Sequence, residues 1–250
     1  MISRVAIATP VLALSLALST SAAVAQDLVG DGYTFRSPKG SLSARVGFAK
    51  ANANSQVFSF TDSILSLNKG DFSSPSLALE AGFFMNPRTE LLLGVSVAST
   101  TIQSNYADLV DNNDMEIRQS TTFRRVPLTF GLRYFLSPIG KRLGSYAWVP
   151  ARFAPYVSAG GGMVYYRFQQ EGDFVDYVSM EVFPAEMQSD AWTPTMYGAV
   201  GAHYSLNSRT ALATELRYDV AKAPMDFAFR LFDRIDLSGT SLTVGFNIRL

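Results

Sequence analysis

Apolar and polar positions alternate along this chain in eight separate stretches. The clearest is the last. In residues 240–250, Thr240, Leu242, Val244, Phe246, Ile248 and Leu250 take one set of alternate positions, and Ser241, Thr243, Gly245, Asn247 and Arg249 take the other. A strand sends successive side chains to opposite faces, so this stretch predicts a strand with one apolar face. The same period recurs at Leu42, Ala44, Val46 and Phe48, then at Leu77, Leu79, Ala81 and Phe83, and again at Leu91, Leu93, Val95 and Val97. It continues at Val126, Leu128, Phe130, Leu132 and Tyr134, at Val157, Ala159, Met163 and Tyr165, at Met196, Val200, Ala202 and Tyr204, and at Leu212, Thr214, Leu216 and Tyr218.

The connections alternate in length. Asn86-Pro87-Arg88-Thr89 and Asn207-Ser208-Arg209 carry turn residues. Residues 51–74, 103–121, 169–192 and 221–236 lose the alternation and read as long loops, and 137–153 is longer than a turn requires. No helical crossover is needed, so consecutive strands are predicted to be antiparallel neighbours. Pro127 cannot donate to a ladder, and is expected at a bulge or at the loop end of its strand.

The predicted fold is all-β: an eight-stranded antiparallel up-and-down barrel over residues 40–250. Which face points inward is decided by the weaker face. It carries Arg45, Glu80, Arg125, Arg133, Glu215, Arg217, Asp219 and Arg249 among Gly, Ser, Thr and Ala. Small residues beside long charged ones suit the inside of a narrow tube, and eight strands leave an interior that side chains just fill. The apolar face then meets lipid, the inverse of a soluble barrel. Closure is also required there, because an open edge would leave backbone groups unpaired in hydrocarbon. Charged residues make up only 17% of the chain, below the roughly 25% usual for soluble domains. Short turns in such barrels face the periplasm and long loops the exterior.

Residues 1–25 read as a cleavable signal peptide: Arg4 precedes an apolar run too short to span a bilayer, and Ala23-Val24-Ala25 forms a small-x-small cleavage site. Residues 26–39 are expected to be a polar periplasmic lead-in. The absence of cysteine excludes disulfides and thiolate metal sites. The zero formal charge gives no reason to expect a nucleic-acid partner.

Three stretches carry a resemblance: Pro127-Leu128-Thr129-Phe130-Gly131-Leu132-Arg133-Tyr134, Pro155-Tyr156-Val157-Ser158-Ala159-Gly160-Gly161-Gly162 and Leu212-Ala213-Thr214-Glu215-Leu216-Arg217-Tyr218. They resemble strands of small Gram-negative outer-membrane barrels, namely the OmpA-type transmembrane domain and the opacity-type porin-like proteins. The resemblance covers roughly residues 40–250. It implies residence in the cell outer membrane among lipid and lipopolysaccharide, as a monomer. It also implies that Leu242, Val244, Phe246, Ile248 and Leu250 form a C-terminal signal for the barrel-assembly machinery, with Leu250 where the family usually ends in Phe. Relatives of this kind act as structural links, adhesins, narrow channels or lipid-modifying enzymes.

Candidate chemistry is sparse. The eight inward charges could pair statically or form a gate, and matched buried pairs are the simpler reading because an unpaired buried charge is costly. His203 and Ser205, with Glu215 as a conceivable acid, faintly resemble the His-x-Ser of outer-membrane lipid A deacylases. Asn207 does not follow Ser205 directly as that motif demands, and both residues face inward near a short turn. Acidic residues gather in two loops: Asp108, Asp111, Asp114 and Glu116, then Glu171, Asp173, Asp176, Glu181, Glu186 and Asp190. Their spacing matches no calcium loop, and a solvated acidic surface accounts for them. Apolar residues interspersed there (Phe174, Val175, Tyr177, Met180, Val182, Phe183 and Met187) suggest a surface for an extracellular protein or a small hydrophobic ligand. No cofactor, metal or catalytic residue is expected. The leading expectation is a non-enzymatic, porin-like barrel acting structurally or through its outer loops. The alternatives are a narrow channel for small or hydrophobic solutes and a lipid A-modifying enzyme.

Overall fold

The computed structural model describes residues 32–110, 115–144, 147–176 and 181–250, with only the backbone described at Ala107 and Asp108. The expected signal peptide, residues 26–31, and Asp111, Asp114, Tyr177 and Met180 lie outside the described residues, as does the side chain of Asp108.

Eight long strands form a closed antiparallel barrel: β1 (Gly40–Ala51), β2 (Ser74–Asn86), β3 (Thr89–Val110), β4 (Glu116–Phe135), β5 (Phe153–Val175), β6 (Val182–Ser205), β7 (Thr210–Val220) and β8 (Gly239–Arg249). Each pairs with its neighbours in sequence, and β1 closes against β8 in a register running from Ser41 opposite Arg249 to Ala51 opposite Gly239. At that seam the backbones approach closely. A Cβ on Gly47 would lie 1.9 Å from the carbonyl oxygen of Leu242, so the seam accepts only glycine there without moving.

The alternation read in the sequence is the alternation of exposure. In β1, Ser41, Ser43, Arg45 and Ala49 are buried in the lumen while Leu42, Val46 and Phe48 are exposed. In β8, Thr243, Asn247 and Arg249 are buried while Leu242, Val244, Phe246 and Ile248 are exposed. An exposed belt of Leu, Val, Ile and Phe around a buried layer of Arg and Glu is inverted relative to a water-soluble barrel, and places the belt in lipid. Aromatic residues mark its edges. On the short-turn side, Tyr134 and Tyr204 accept hydrogen bonds from Arg88 and Arg152. On the loop side, Tyr165 packs against Trp192, and Tyr218 accepts a hydrogen bond from Asn52. Among the described residues no helix is long and apolar enough to cross a membrane.

Three expectations are corrected. Residues 103–121 and 169–192 are largely strand: β3 pairs with β4 out to Val110 opposite Glu116, and β5 with β6 out to Val175 opposite Val182. Above the lipid belt neither face has to be uniformly apolar, so strand continues after the alternation has gone. Pro127 sits within β4 and marks neither a bulge nor a strand end. Around it the β3–β4 pairs lapse between Val95–Leu128 and Ala98–Arg125 with the register unchanged on both sides, and the register shift of this pair lies further up, between Asn105 and Val110. Lastly, the long connections are structured. Residues 51–74 hold the helix α1 (Gln56–Ile64) and a short 3-10 turn (Lys69–Phe72). Residues 221–236 hold a 3-10 turn (Phe227–Phe229) and two short paired strands, Lys222–Ala223 and Ile235–Asp236. The 137–153 connection is a small hairpin pairing Gly140–Leu143 with Ala147–Pro150.

Candidate functional site

A carboxylate–guanidinium cluster spans the lumen. Arg45 of β1 and Arg133 of β4 reach inward from opposite parts of the wall and share two carboxylates. Arg45 Nη1 lies 3.2 Å from Glu80 Oε1, and its Nη2 3.0 Å from Glu215 Oε1. Arg133 Nη2 lies 2.5 Å from Glu80 Oε1 and 3.3 Å from Glu215 Oε2, and its Nη1 2.9 Å from Glu90 Oε2. Arg133 and Glu90 are 0% exposed. Two hydroxyls complete the set: Tyr156 donates to Glu215 Oε2 at 3.0 Å, and Ser41 donates to Glu90 Oε1. The Tyr156 ring also lies under the Arg133 guanidinium, 4.2 Å from Cζ to ring centre. Charge-assisted hydrogen bonds of this kind are the strong ones. Two arginines face three carboxylates, and the two hydroxyls supply further hydrogen bonds to them.

The structure brings Arg45, Glu80, Arg133 and Glu215 together and leaves the other four inward charges apart. Arg217 and Asp219, two residues apart on one face of β7, pair with each other at 2.7 Å, with the guanidinium 3.8 Å above the Tyr197 ring. Arg125 donates to the carbonyl oxygens of Leu237 at 3.0 Å and Ser238 at 3.4 Å, tying the wall to the last loop. Arg249 donates to Ser205 Oγ at 2.8 Å near the short-turn end. Glu90, Tyr156 and Ser41 were not picked out in the sequence. Glu90 could have been: counting back by two from Leu92 and Gly94 puts it on the inward face, although the turn signal at residues 86–89 hides it.

Gly82 makes room for this cluster. A Cβ there would lie 2.0 Å from Glu90 Oε1 and 2.7 Å from Ser41 Oγ. Glu90 is pinned by both partners and cannot swing aside freely. Gly82→Ala is therefore expected to lower stability by about 1–3 kcal/mol, the range for overpacking. The check is the urea midpoint of refolded protein. An unchanged midpoint would mean that the Glu90 carboxylate is free to move.

Each end of the lumen is stoppered. On the loop side Phe58 of α1 meets Phe72, Phe123 and Phe168 at ring separations of 4.7, 5.3 and 5.8 Å. Ala51, Leu65, Leu67, Val164, Tyr166, Phe229, Ile235 and Leu237 extend this apolar core. On the short-turn side Trp148, from the 137–153 hairpin, packs with Phe135, Ile139, Ala154 and Tyr156. Thr34 pairs with Trp148 through backbone hydrogen bonds. Between cluster and loop-side core lies a cavity of about 60 Å³, bordered by Arg45, Glu80, Arg125, Glu215, Arg217 and Asp219. That is room for a few waters.

His203 is buried between the rings of Phe135 and Tyr156, at 5.4 and 5.2 Å. Ser205 donates to the carbonyl oxygen of Ala151 at 2.7 Å. Among the described residues no hydrogen bond joins His203 to Ser205, so the pair needed to activate a hydroxyl is not assembled. The acidic residues of the β5–β6 extension are spread along the hairpin: Glu171 stands opposite Glu186, and Asp190 accepts hydrogen bonds from Tyr165 and Gln188. Among the described residues no group of three or more such side chains could hold a metal ion. Leu242, Val244, Phe246, Ile248 and Leu250 are all exposed on the lipid face.

Closure, inverted polarity and a buried charge layer define a transmembrane β-barrel of the outer-membrane type. Small barrels of that membrane are also what the chain is similar to among solved structures. Neisserial surface protein A (NspA) is 10% identical over 88% of this chain and 100% of that one, with a TM-score of 0.44. Ail, the attachment invasion locus protein of Yersinia pestis, is 11% identical over 85% and 99%, with a TM-score of 0.41. The N-terminal β-barrel domain of Pseudomonas aeruginosa OprF is 12% identical over 86% and 100%, with a TM-score of 0.35. No protein-family model and no curated protein sequence matches the chain.

Proposed function

We propose that this protein is a closed outer-membrane scaffold whose working part is the structured crown on its loop side. One observation carries the reading: packed or paired side chains fill the lumen in three successive layers, the Phe58–Phe72–Phe123–Phe168 stack, the Arg45–Glu80–Arg133–Glu215 cluster and the Trp148–Phe135 stopper. A solute path would have to breach all three. The crown, in contrast, is extended by two long hairpins and has its own apolar core, which a barrel serving only as a membrane plug would not need. On this reading the extracellular partner meets the crown, and the exposed face of β8 serves as the segment handed to the assembly machinery.

The test is electrical. The protein inserted into planar bilayers in concentrated KCl is expected to give no steady conductance. Trp148→Ala alone is expected to stay silent too, because the charge cluster and the Phe stack remain. Steady wild-type openings would overturn the scaffold reading in favour of a channel.

A further inference from the structure

The crown contains a second, larger cavity that the barrel itself does not require. It measures about 280 Å³ and lies among α1, the upper parts of β3, β4, β5 and β6, and the 228–232 segment. Val57, Ile64, Phe174, Met187, Phe229 and Phe232 are among its apolar wall residues. Among the described residues no charged side chain lines it. Each polar side chain that does makes at least one hydrogen bond, Gln170 to Thr121 Oγ1 at 3.5 Å. Thr61 donates to the carbonyl oxygen of Val57 at 2.7 Å, and Gln119 donates to that of Asp173 at 2.9 Å. Tyr106 accepts hydrogen bonds from Gln119 and from the Val175 amide. The lip is apolar and exposed: Phe60 is 47%, Phe183 42% and Leu231 89% exposed.

Each feature narrows the occupant. A dry apolar cavity of about 150 Å³ takes up a molecule the size of benzene, so this one has room for a longer apolar group. With no charge among the described residues of its wall and a mostly apolar lining, it suits an apolar group better than an ion. A polar head would have to remain in water at the lip. Position identifies the route. The wall residues Gln170 and Phe174 lie five and nine residues beyond Tyr165 of the aromatic edge, along the same strand. At about 3.3 Å per residue this puts the cavity well above the lipid belt. We propose that the crown cavity binds the hydrophobic tail of an amphiphile that arrives from the aqueous side. This rests on the reading of the crown as the working part, and it names the ligand class.

The chain has no cysteine, so an introduced one is a unique reporter. Met187→Cys places a thiol in the wall and Phe183→Cys at the lip, while Gln103→Cys lies outside the cavity as control. Each variant, shown to be folded by its heat-modifiable gel migration, is held in phospholipid nanodiscs and treated with a water-soluble thiosulfonate. Decanol at ten times its dissociation constant should slow modification at both cavity positions by about ten-fold, with propanol and the control position showing no effect. Slowing at the control as well, or at neither cavity position while bilayers stay silent, would overturn the pocket and leave the closed scaffold standing. Cavity thiols unreactive in nanodiscs before any decanol, yet reactive in lipid-free amphipol, would assign the cavity to a bilayer tail and overturn the aqueous route. Steady conductance with decanol protection intact would remove the scaffold reading alone.

Discussion

Replacing Arg133 with alanine is expected to destabilise the barrel by about 3–5 kcal/mol, the cost of leaving a buried charge cluster without one partner. Arg133 touches Glu80, Glu90 and Glu215 and lies over Tyr156. Without it, Arg45 alone faces three carboxylates, and Glu90 keeps only the Ser41 hydroxyl. The measurement is the urea midpoint of refolding into lipid vesicles, followed by gel migration. The prediction has an internal control. If the loss comes from stranded carboxylates, Arg133→Met combined with Glu90→Gln should recover part of it, since residues sharing one network are not additive. Equal losses in single and double variants would show that Arg133 matters through its packing on Tyr156, and that the carboxylates are hydrated. The cation–π contact contributes less, roughly 0.5–2 kcal/mol, so a loss above that range already favours the charge account.

This cluster also shows where sequence reasoning reaches and where it stops. Within the lipid belt the solvent on one side is hydrocarbon and on the other a crowded polar lumen, so each strand must alternate strictly. Arg45, Glu80, Arg133 and Glu215 are legible for that reason: a charge among Gly and Ser on the face opposite Leu and Val has nowhere else to go. Which of eight inward charges meet is a different matter. It depends on the stagger between strands, for instance Arg45 opposite Ala78 and Gly245 and Glu215 opposite Gly201 and Thr243, which a single strand's pattern does not contain. Arg125 thus turns out to hold backbone carbonyls of the last loop, and Arg249 a serine.

Above the belt the strict constraint disappears, and so did the signal. Thr101 hydrogen-bonds Thr122 across β3 and β4, and Gln103 hydrogen-bonds Ser120, in a ladder exposed to water. Such Thr- and Ser-rich sequence reads as loop when apolar alternation is the criterion. The helix α1 did leave a trace. Val57, Phe60, Thr61, Ile64 and Leu65 recur at three- and four-residue intervals, the spacing of one helical face. That trace was lost in a stretch judged by strand periodicity. The crown cavity is less legible still. It is assembled from six separated segments, and each contributes too few apolar residues to announce a core.

The lipid belt itself predicts a gradient of damage along one strand. Val244 is an exposed residue midway along β8, paired with Val46 on one side and Thr214 on the other. Val244→Arg is expected to cost about 2–4 kcal/mol, as an arginine at the midplane of a membrane barrel does. The same change at Leu250, the exposed residue beside the short turns, is expected to cost about 0–1 kcal/mol, because its guanidinium can reach the interface. Both side chains point outward, so the contrast depends on depth alone. The measurement is again the urea midpoint in vesicles, with refolding into bilayers of two thicknesses as a second axis: a thinner bilayer should relieve Val244→Arg. A soluble barrel with a merely apolar surface would tolerate arginine equally at both positions, since each would already be in water. Equal midpoints for the two variants would therefore contradict the lipid-facing belt on which the membrane assignment stands.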